Sequence, residues 1–226
     1  MYDVVEGGAD FLVALGSTGE AAMLDENERQ LIIAIVNEHR GDAKLIVGTG
    51  TSATASTCTW TKTAQDSGAD GALIVMPPYT KPTQAGIIAH FTAIAEAAPD
   101  LPLIAYNVPS RTGINLTPAT VRELWRIPTV VALKESSNDL MQISQIASEL
   151  PEGKTLLAGD DAAHEEVGRP QRVEEVARAR LLLAVVFLEV EEGEDVCVPR
   201  LQVHGEGALP LAAALVDETR RVIVDA

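Results

Sequence analysis

Short apolar runs alternate with longer amphipathic segments from residue 10 to residue 158. Uninterrupted apolar runs of this kind are typical of strands that are buried on both faces. The pattern predicts six strands, at Phe11–Leu15, Leu45–Val47, Ala72–Val75, Leu103–Tyr106, Val130–Leu133 and Thr155–Ala158.

Helical periodicity fills the gaps between these strands. The second predicted helix follows Thr51-Ser52, and the fourth follows Thr117 with Pro118 in its first turn, which are favourable helix starts. Strands separated by helices need right-handed crossovers and therefore form a parallel sheet. The predicted helices are Glu26–His39, Ala53–Ser67, Ala85–Ala97, Pro118–Trp125 and Leu140–Glu149.

Two architectures fit such a parallel sheet, a (β/α)8 barrel and a doubly wound sheet. A doubly wound sheet concentrates its ligand site at one switch point, and no G-x-G-x-x-G phosphate motif follows the first strand. Polar and glycine-rich clusters instead follow every strand, which favours the barrel. These clusters are Gly16–Glu20, Gly48–Gly50, Pro77–Tyr79, Asn107–Arg111, Lys134–Glu135 and Gly159–Asp161.

The character of the chain changes near residue 163. Residues 1–163 hold five lysines and five arginines, whereas 164–226 hold seven arginines and no lysine. We expect a barrel domain over 1–163 and a divergent acidic, arginine-rich tail over 164–226. Val173–Val190 fits a helix, Leu181–Val190 fits a strand equally well, and Leu209–Val224 resembles a helix. The tail is interpreted either as a cap or rebuilt closing strand, or as an out-of-frame or spliced terminus.

Composition narrows the classes of partner. The net charge of −16 argues against nucleic acid and anionic membranes, which require a basic surface. Cys58 and Cys197 lie far apart without metal-ligand spacing, so free thiols in a cytoplasmic protein are expected.

Lys134 is the leading candidate for chemistry. It ends the apolar run Val130–Leu133, and burial of a lysine is costly because the ammonium loses its hydration. A lysine at such a strand end can lose its proton and act as a nucleophilic amine towards a carbonyl. The alternative is a lysine that ends its strand in water.

Two further motifs supply groups that suit such chemistry. Gly16–Glu20 offers hydroxyl and backbone N–H donors for a small carboxylate. Tyr106–Gly113 places a phenol at the end of a buried strand and Arg111 on the loop that follows. A phenol can relay protons, and a guanidinium can bind a second carboxylate in bidentate fashion. An ordinary Gly-Ser turn, a core tyrosine and a solvated arginine are the alternatives.

Four segments resemble the dihydrodipicolinate synthase (4-hydroxy-tetrahydrodipicolinate synthase) family in order and spacing. They are Gly16–Glu20, Tyr106–Gly113, Leu133–Glu135 and Gly159–Asp161, and the resemblance covers about residues 1–163. The family belongs to the class I aldolases with (β/α)8 barrels, as does N-acetylneuraminate lyase. Tyr106–Gly113 is the most specific string, because sialic-acid lyases share its Tyr-Asn-x-Pro stem but not normally its Ser-Arg-Thr-Gly continuation.

The resemblance implies a lyase of lysine and diaminopimelate biosynthesis that condenses pyruvate with aspartate semialdehyde. Lys134 would form the imine with pyruvate, and Thr18 would hold the pyruvate carboxylate. Ser17 stands where the family usually has threonine and would link two tyrosines in a proton relay. Tyr106 would be one of these tyrosines.

The resemblance also implies roles for three more residues. Tyr79 matches the tyrosine that the family inserts into the site of a neighbouring subunit, so a homodimer or dimer of dimers is expected. Arg111 would bind the carboxylate of aspartate semialdehyde, and Gly159 would line the pocket floor. The chemistry requires no metal and no organic cofactor.

The chain departs from the family pattern in three places. The family has a strand and a helix upstream of Met1, and its eighth strand has no recognisable counterpart after Asp161. We therefore expect an incomplete (β/α)8 barrel that lacks the first strand, with an unpaired edge and a closing strand replaced by the tail. Inhibited members carry histidines where this chain has Glu26 and Arg29, so the resemblance does not extend to feedback inhibition by lysine.

Two alternative functions stay open at this point. One is another pyruvate-dependent aldolase acting on a sugar acid, against which Arg111 argues. The other is a truncated barrel without catalytic activity, which the missing first strand and the unusual tail favour.

Overall fold

The computed structural model describes residues 11–159 and the backbone of three tail segments, 181–182, 184–190 and 197–203. The described residues form two compact units. The first contains the described residues up to Gly48 together with the tail segments, and the second contains Thr49 to Gly159. The domain boundary predicted near residue 163 and the helix predicted over Leu209–Val224 lie outside the described residues.

The first unit is built on two parallel strands. Strand β1 (Phe11–Ala14) pairs with β2 (Lys44–Gly48), with Phe11 opposite Lys44. Helix α1 (Glu26–His39) connects them and begins at a capping box, because the Asp25 carboxylate accepts from Glu28 N and the Glu28 carboxylate accepts from Asp25 N. Short 3-10 turns at Ser17–Gly19 and Ala21–Met23 follow β1.

The second unit is a four-stranded parallel sheet with helices in the connections. Its strand order is β3, β4, β5, β6, and the fully buried side chains that form its core include Ile74, Leu103 and Phe91. The strands are β3 (Gly71–Val75), β4 (Leu103–Asn107), β5 (Val130–Glu135) and β6 (Thr155–Ala158). The helices are α2 (Thr54–Asp66), α3 (Gln84–Ala97), α4 (Pro109–Thr112), α5 (Pro118–Leu124) and α6 (Leu140–Ser148).

The described tail segments are strands. β7 (Leu181–Leu182) pairs in parallel with β1, with Phe11 opposite Leu181, so the edge of β1 away from β2 is partly covered. β8 (Ala184–Val190) and β9 (Cys197–Val203) form an antiparallel pair. Within Leu181–Val190, for which the sequence left helix and strand open, the described residues belong to the two strands β7 and β8.

All six predicted strands and all five predicted helices within 11–159 are confirmed in type. The helix predicted to begin at Ala53 begins one residue later, at Thr54. Its N-cap is Ala53, so no side chain caps α2. Thr117 does cap α5, accepting from Thr120 N. None of the described helices is long and apolar enough to span a bilayer.

Candidate active site

Lys134 lies in the carboxyl-terminal half of β5 and is buried, with 9% of its surface exposed. Parallel pairing places it opposite Tyr106 of β4 on one side and Leu157 of β6 on the other. Burial lowers the pKa of its ammonium, and the positive charge of Arg111 lowers that pKa further. Both effects favour the neutral amine.

Tyr106 covers this amine. The Nζ atom of Lys134 lies 4.7 Å from the centroid of the Tyr106 ring, and only 7% of the tyrosine is exposed. The contact follows from the register, because side chains opposite each other in paired strands point to the same face of the sheet. The structure therefore brings together the two residues that the sequence proposes as nucleophile and proton relay.

Arg111 reaches this region from helix α4, a single turn that begins directly after β4. Pro109 occupies the first turn, and Gly113 ends the helix in the left-handed conformation with φ of 74°. Arg111 is exposed, and its charge acts on Lys134. A four-residue helix was not predicted here, because one turn is too short to show helical periodicity.

Gly159 follows β6 directly, and its backbone N–H donates to the Glu135 carbonyl at 2.8 Å. A Cβ atom built on Gly159 would lie 1.7 Å from Ser136 Oγ and 3.1 Å from the Glu135 carbonyl oxygen. Glycine is thus the residue that allows this close approach between the ends of β5 and β6. The Ser136 hydroxyl is itself buried and has no hydrogen-bond partner among the described residues.

Tyr79 differs from Lys134 in accessibility, because 90% of its surface is exposed. It adopts a left-handed conformation with φ of 70°, which is uncommon for a residue other than glycine. Its N–H donates to the Thr112 carbonyl at 3.2 Å, and this bond ties its loop to helix α4.

Ser17 and Thr18 belong to the first unit, in the 3-10 turn after β1. Ser17 is exposed and Thr18 is partly buried. The turn is closed by a bond from Gly19 N to the Gly16 carbonyl at 3.0 Å.

A second polar cluster was missed in the sequence. Asn107 is fully buried, Glu135 is 1% exposed, and they follow Tyr106 and Lys134 directly in their strands. The Asn107 Nδ2 atom donates to the two Glu135 carboxylate oxygens at 3.0 and 3.1 Å. The sequence does show two adjacent polar residues at the end of each of two buried strands, but the contact between Asn107 and Glu135 depends on the register of these strands.

The arrangement suits covalent chemistry on a carbonyl compound. It combines a buried amine with a lowered pKa, a phenol beside it and a guanidinium nearby. An amine of this kind can attack a ketone, and a phenol can transfer the protons that the attack requires. In the described parts of the chain, no group of three or more His, Cys, Asp or Glu residues is placed to hold a metal ion.

Comparison with known families identifies one match. The model of the dihydrodipicolinate synthetase family matches residues 2–169. A 4-hydroxy-tetrahydrodipicolinate synthase from Desulforamulus reducens is 45% identical over 161 residues, covering 70% of this chain and 54% of the relative. One from Thermomicrobium roseum is 41% identical over 219 residues, covering 95% of this chain and 72% of the relative, so that match extends into the tail.

Solved structures agree with the sequence comparison. The Acinetobacter baumannii dihydrodipicolinate synthase complexed with pyruvate matches with a TM-score of 0.70 and 39% identity, over 74% of this chain and 57% of that one. The Cyanidioschyzon merolae enzyme with lysine bound matches with a TM-score of 0.68 and 41% identity, over 71% and 55% of the two chains. These matches confirm the predicted incomplete (β/α)8 barrel. The chain spans about half the length of most of these relatives.

Proposed function

Because the chain belongs to the dihydrodipicolinate synthetase family, we propose that it condenses pyruvate with aspartate semialdehyde through a Schiff base on Lys134. The observation that carries the proposal is the buried amine of Lys134 under the ring of Tyr106. A cytoplasmic location accords with such a biosynthetic role.

The chemistry begins with the neutral amine. Lys134 Nζ attacks the keto carbon of pyruvate, and the carbinolamine loses water to give the imine. The phenol of Tyr106 is placed to protonate the departing hydroxyl. Loss of a methyl proton then gives an enamine, because the iminium nitrogen accepts the electron pair.

The enamine carbon next forms the new carbon–carbon bond to the aldehyde of the second substrate, and the aldehyde oxygen takes up a proton. The amino group of the former semialdehyde then attacks the imine carbon. Cyclisation expels Lys134 as the free amine, so that the product leaves and the catalyst is restored. The two substrates are the only reactants in this sequence, and water is released when the imine forms.

Arg111 supports the choice of second substrate. It is exposed on the turn after β4, and its charge is close enough to lower the pKa of Lys134. A guanidinium there suits the carboxylate that aspartate semialdehyde carries away from its aldehyde. A sugar-acid aldolase would not require this second carboxylate near the amine.

Tyr79 supports an oligomer. A tyrosine that is 90% exposed and held by its backbone in a left-handed conformation is suited to contact a second copy of the chain. The proposed assembly is a homodimer or a dimer of dimers. Roles for Ser17 and Thr18 in the proton relay and in holding pyruvate, and for Gly159 in the pocket, remain predictions from the family resemblance.

The substrate is tested with Arg111→Ala and Arg111→Lys beside the parent protein. Each is assayed for condensation with aspartate semialdehyde and, separately, for imine formation with pyruvate. We expect Arg111→Ala to lose roughly 30- to 160-fold in kcat/KM for the semialdehyde, as for removal of a strong charge-assisted contact of about 2–3 kcal/mol. Arg111→Lys keeps the charge but not the bidentate fork, and should lose an intermediate amount.

Three results would contradict the proposal. Parent protein that forms the pyruvate imine but condenses it with a sugar aldehyde and not with the semialdehyde would favour the sugar-acid aldolase. Folded protein that forms no imine would favour the non-catalytic barrel. Equal loss of imine formation and condensation in Arg111→Ala would remove Arg111 from substrate recognition.

A further inference from the structure

The face of the sheet opposite Lys134 carries a closed network of four polar side chains. Consecutive residues of a strand point to opposite faces, so Glu135 and Asn107 point away from the Lys134–Tyr106 face. The register pairs Tyr106 with Lys134 and, one step further, Asn107 with Glu135. The two pairs are therefore neighbours, one on each face of the same strand ends.

Within the described residues, the groups that donate to the Glu135 carboxylate are all neutral N–H groups. Asn107 Nδ2 lies 3.0 and 3.1 Å from its two oxygens, Ser137 N donates to Oε1 at 2.7 Å, and Gln142 Nε2 donates to Oε2 at 3.3 Å. Among the described residues no cation is recorded as its ion-pair partner. A buried carboxylate of this kind depends on these donors, because burial without hydrogen bonds is costly.

Asn115 closes the network. Its Oδ1 accepts from Asn107 Nδ2 at 2.8 Å and from Gln142 Nε2 at 3.3 Å, while its Nδ2 donates to Gln142 Oε1 at 2.8 Å. The Asn107 Oδ1 accepts from Leu116 N at 2.9 Å. The network thus joins the end of β4, the end of β5, the segment between α4 and α5, and the first turn of α6.

We propose that Glu135 is a positioning residue for Lys134: its carboxylate gathers these donors behind the strand pair and so keeps the ends of β4 and β5 together where Tyr106 covers the amine. The inference rests on the proposed function for its catalytic meaning. Its structural content, that Glu135 controls the burial of Lys134, stands without any substrate.

A change of one atom tests the proposal. Glu135→Gln keeps the shape, but its new NH2 group must face Asn107 Nδ2, Gln142 Nε2 or Ser137 N, all of which are donors. Asn107→Asp creates the opposite conflict, because two carboxylates then face each other. Each single change should therefore loosen the strand ends and admit water to Lys134.

The double variant Asn107→Asp/Glu135→Gln restores the pattern with its direction reversed. The amide introduced at position 135 then donates to the carboxylate introduced at position 107, while the amide oxygen still accepts from Ser137 N. If the amides of Asn115 and Gln142 turn over, every side-chain bond of the network has a donor and an acceptor again, except the contact between position 107 and the Oε1 position of residue 135, where two oxygens then meet. The double variant also has the net charge of the parent protein.

The readout is the pH at which Lys134 reacts. Each protein is treated with formaldehyde and cyanoborohydride over a pH series, and methylation of Lys134 is followed by peptide mass spectrometry relative to exposed Lys62. In the part of the chain that the structure describes, the charged or titratable groups next to Lys134 are Tyr106 from β4 and Arg111 from α4, with Glu135 on its own strand behind it. A parallel arm replaces formaldehyde by pyruvate.

The sign of the shift separates positioning from a direct charge effect. Loss of burial raises the pKa of Lys134, whereas removal of a nearby negative charge lowers it. We expect the methylation midpoint to rise by about one pH unit in Glu135→Gln, which is about tenfold less neutral amine at pH 7, and to return to within about 0.3 unit in the double variant. A midpoint that stays the same or falls in Glu135→Gln overturns the proposal, as does a double variant no better than the single ones.

Two further variants keep the test decisive if the single changes prevent folding. Gln142→Met removes one donor to Glu135, and should raise the midpoint by a smaller amount. Gln145→Met makes the same substitution one turn along α6 at an exposed position outside the network and should leave the midpoint unchanged. Equal behaviour of these two variants counts against the proposal. If the parent forms no pyruvyl adduct, the proposed condensation fails, while the formaldehyde arm still decides the role of Glu135.

Discussion

The Nζ atom of Lys134 lies 4.7 Å from the centroid of the Tyr106 ring, and the two residues occupy paired positions of adjacent parallel strands. This relationship does two things at once. The ring helps to bury the amine, which favours its neutral form, and the phenol lies beside the group on which the proposed Schiff-base chemistry requires proton transfers. The site thus depends on strand register as much as on residue type.

Tyr106→Phe separates these two contributions. The ring remains to cover Lys134, but the hydroxyl that would carry protons is lost. We expect the rate of imine formation with pyruvate to fall by roughly 10²-fold, the lower end of the range for a general acid–base group. Reduction of the imine with borohydride after a series of short reaction times measures this rate. An unchanged rate would show that Tyr106 only packs against the amine.

The pH dependence of imine formation follows from the lowered pKa of Lys134. The rate should rise with pH and level off below the ordinary lysine value of 10.5, because burial and then Arg111 disfavour the ammonium. Arg111→Ala removes one cause, so the midpoint should move to higher pH, whereas Arg111→Lys retains a positive charge and should move it less. A midpoint that is the same in all three proteins would contradict the account.

Burial of Lys134 should also cost stability at neutral pH. Its pKa is lowered in the folded state, so between the folded and the unfolded pKa the unfolded chain binds more protons and stability rises with pH. Lys134→Met should therefore raise the free energy of unfolding at pH 7 by roughly 1–3 kcal/mol and abolish this part of the rise. Urea denaturation at pH 7 and at about pH 9.5 measures both effects. Lys62→Met, at an exposed helical position, is the control and should change neither.

Gly159→Ala tests the close approach of β5 and β6. The new methyl group would meet Ser136 Oγ at 1.7 Å, so the substitution should cost roughly 1–3 kcal/mol of unfolding free energy, as overpacking does. Ser136→Ala removes the obstructing oxygen, which has no partner to lose among the described residues. The double variant should recover most of the loss.

Gly86→Ala provides a matched control for that substitution. At Gly86 the nearest atom to an added Cβ is Thr83 Oγ1 at 3.4 Å, an ordinary contact, and alanine is favoured in helices. It should stabilise the protein by up to about 1 kcal/mol. A double variant of Gly159 and Ser136 as unstable as Gly159→Ala would show that the backbone contact with Glu135, and not the hydroxyl, sets the limit.

Element type could be predicted from the sequence because strands and helices differ in their hydrophobic period. The limits of β5 could not, since Lys134 and Glu135 are charged and the apolar run stops at Leu133, yet pairing with β4 and β6 continues through both residues. Helix α4 was missed because four residues contain a single turn. For the tail, the sequence did not decide between helix and strand, because its apolar and charged residues follow no single period.

The candidate site was predictable to the extent that it follows strand ends. Lys134 and Tyr106 were proposed together from motif order, and the register now explains their proximity. The Asn107–Glu135 network was not predictable in the same way, because a single sequence does not give the register of strands far apart in the chain. Asn115 and Gln142 join it from segments that are ordinary polar surface in pattern.

The most direct test of the central claim is borohydride reduction in the presence of pyruvate, followed by peptide mass spectrometry. We expect one reduced pyruvyl adduct per chain, on Lys134, and none in folded Lys134→Met protein. Folded parent protein without an adduct, or with adducts spread over the exposed lysines such as Lys62 and Lys81, would contradict the claim that Lys134 is the Schiff-base residue.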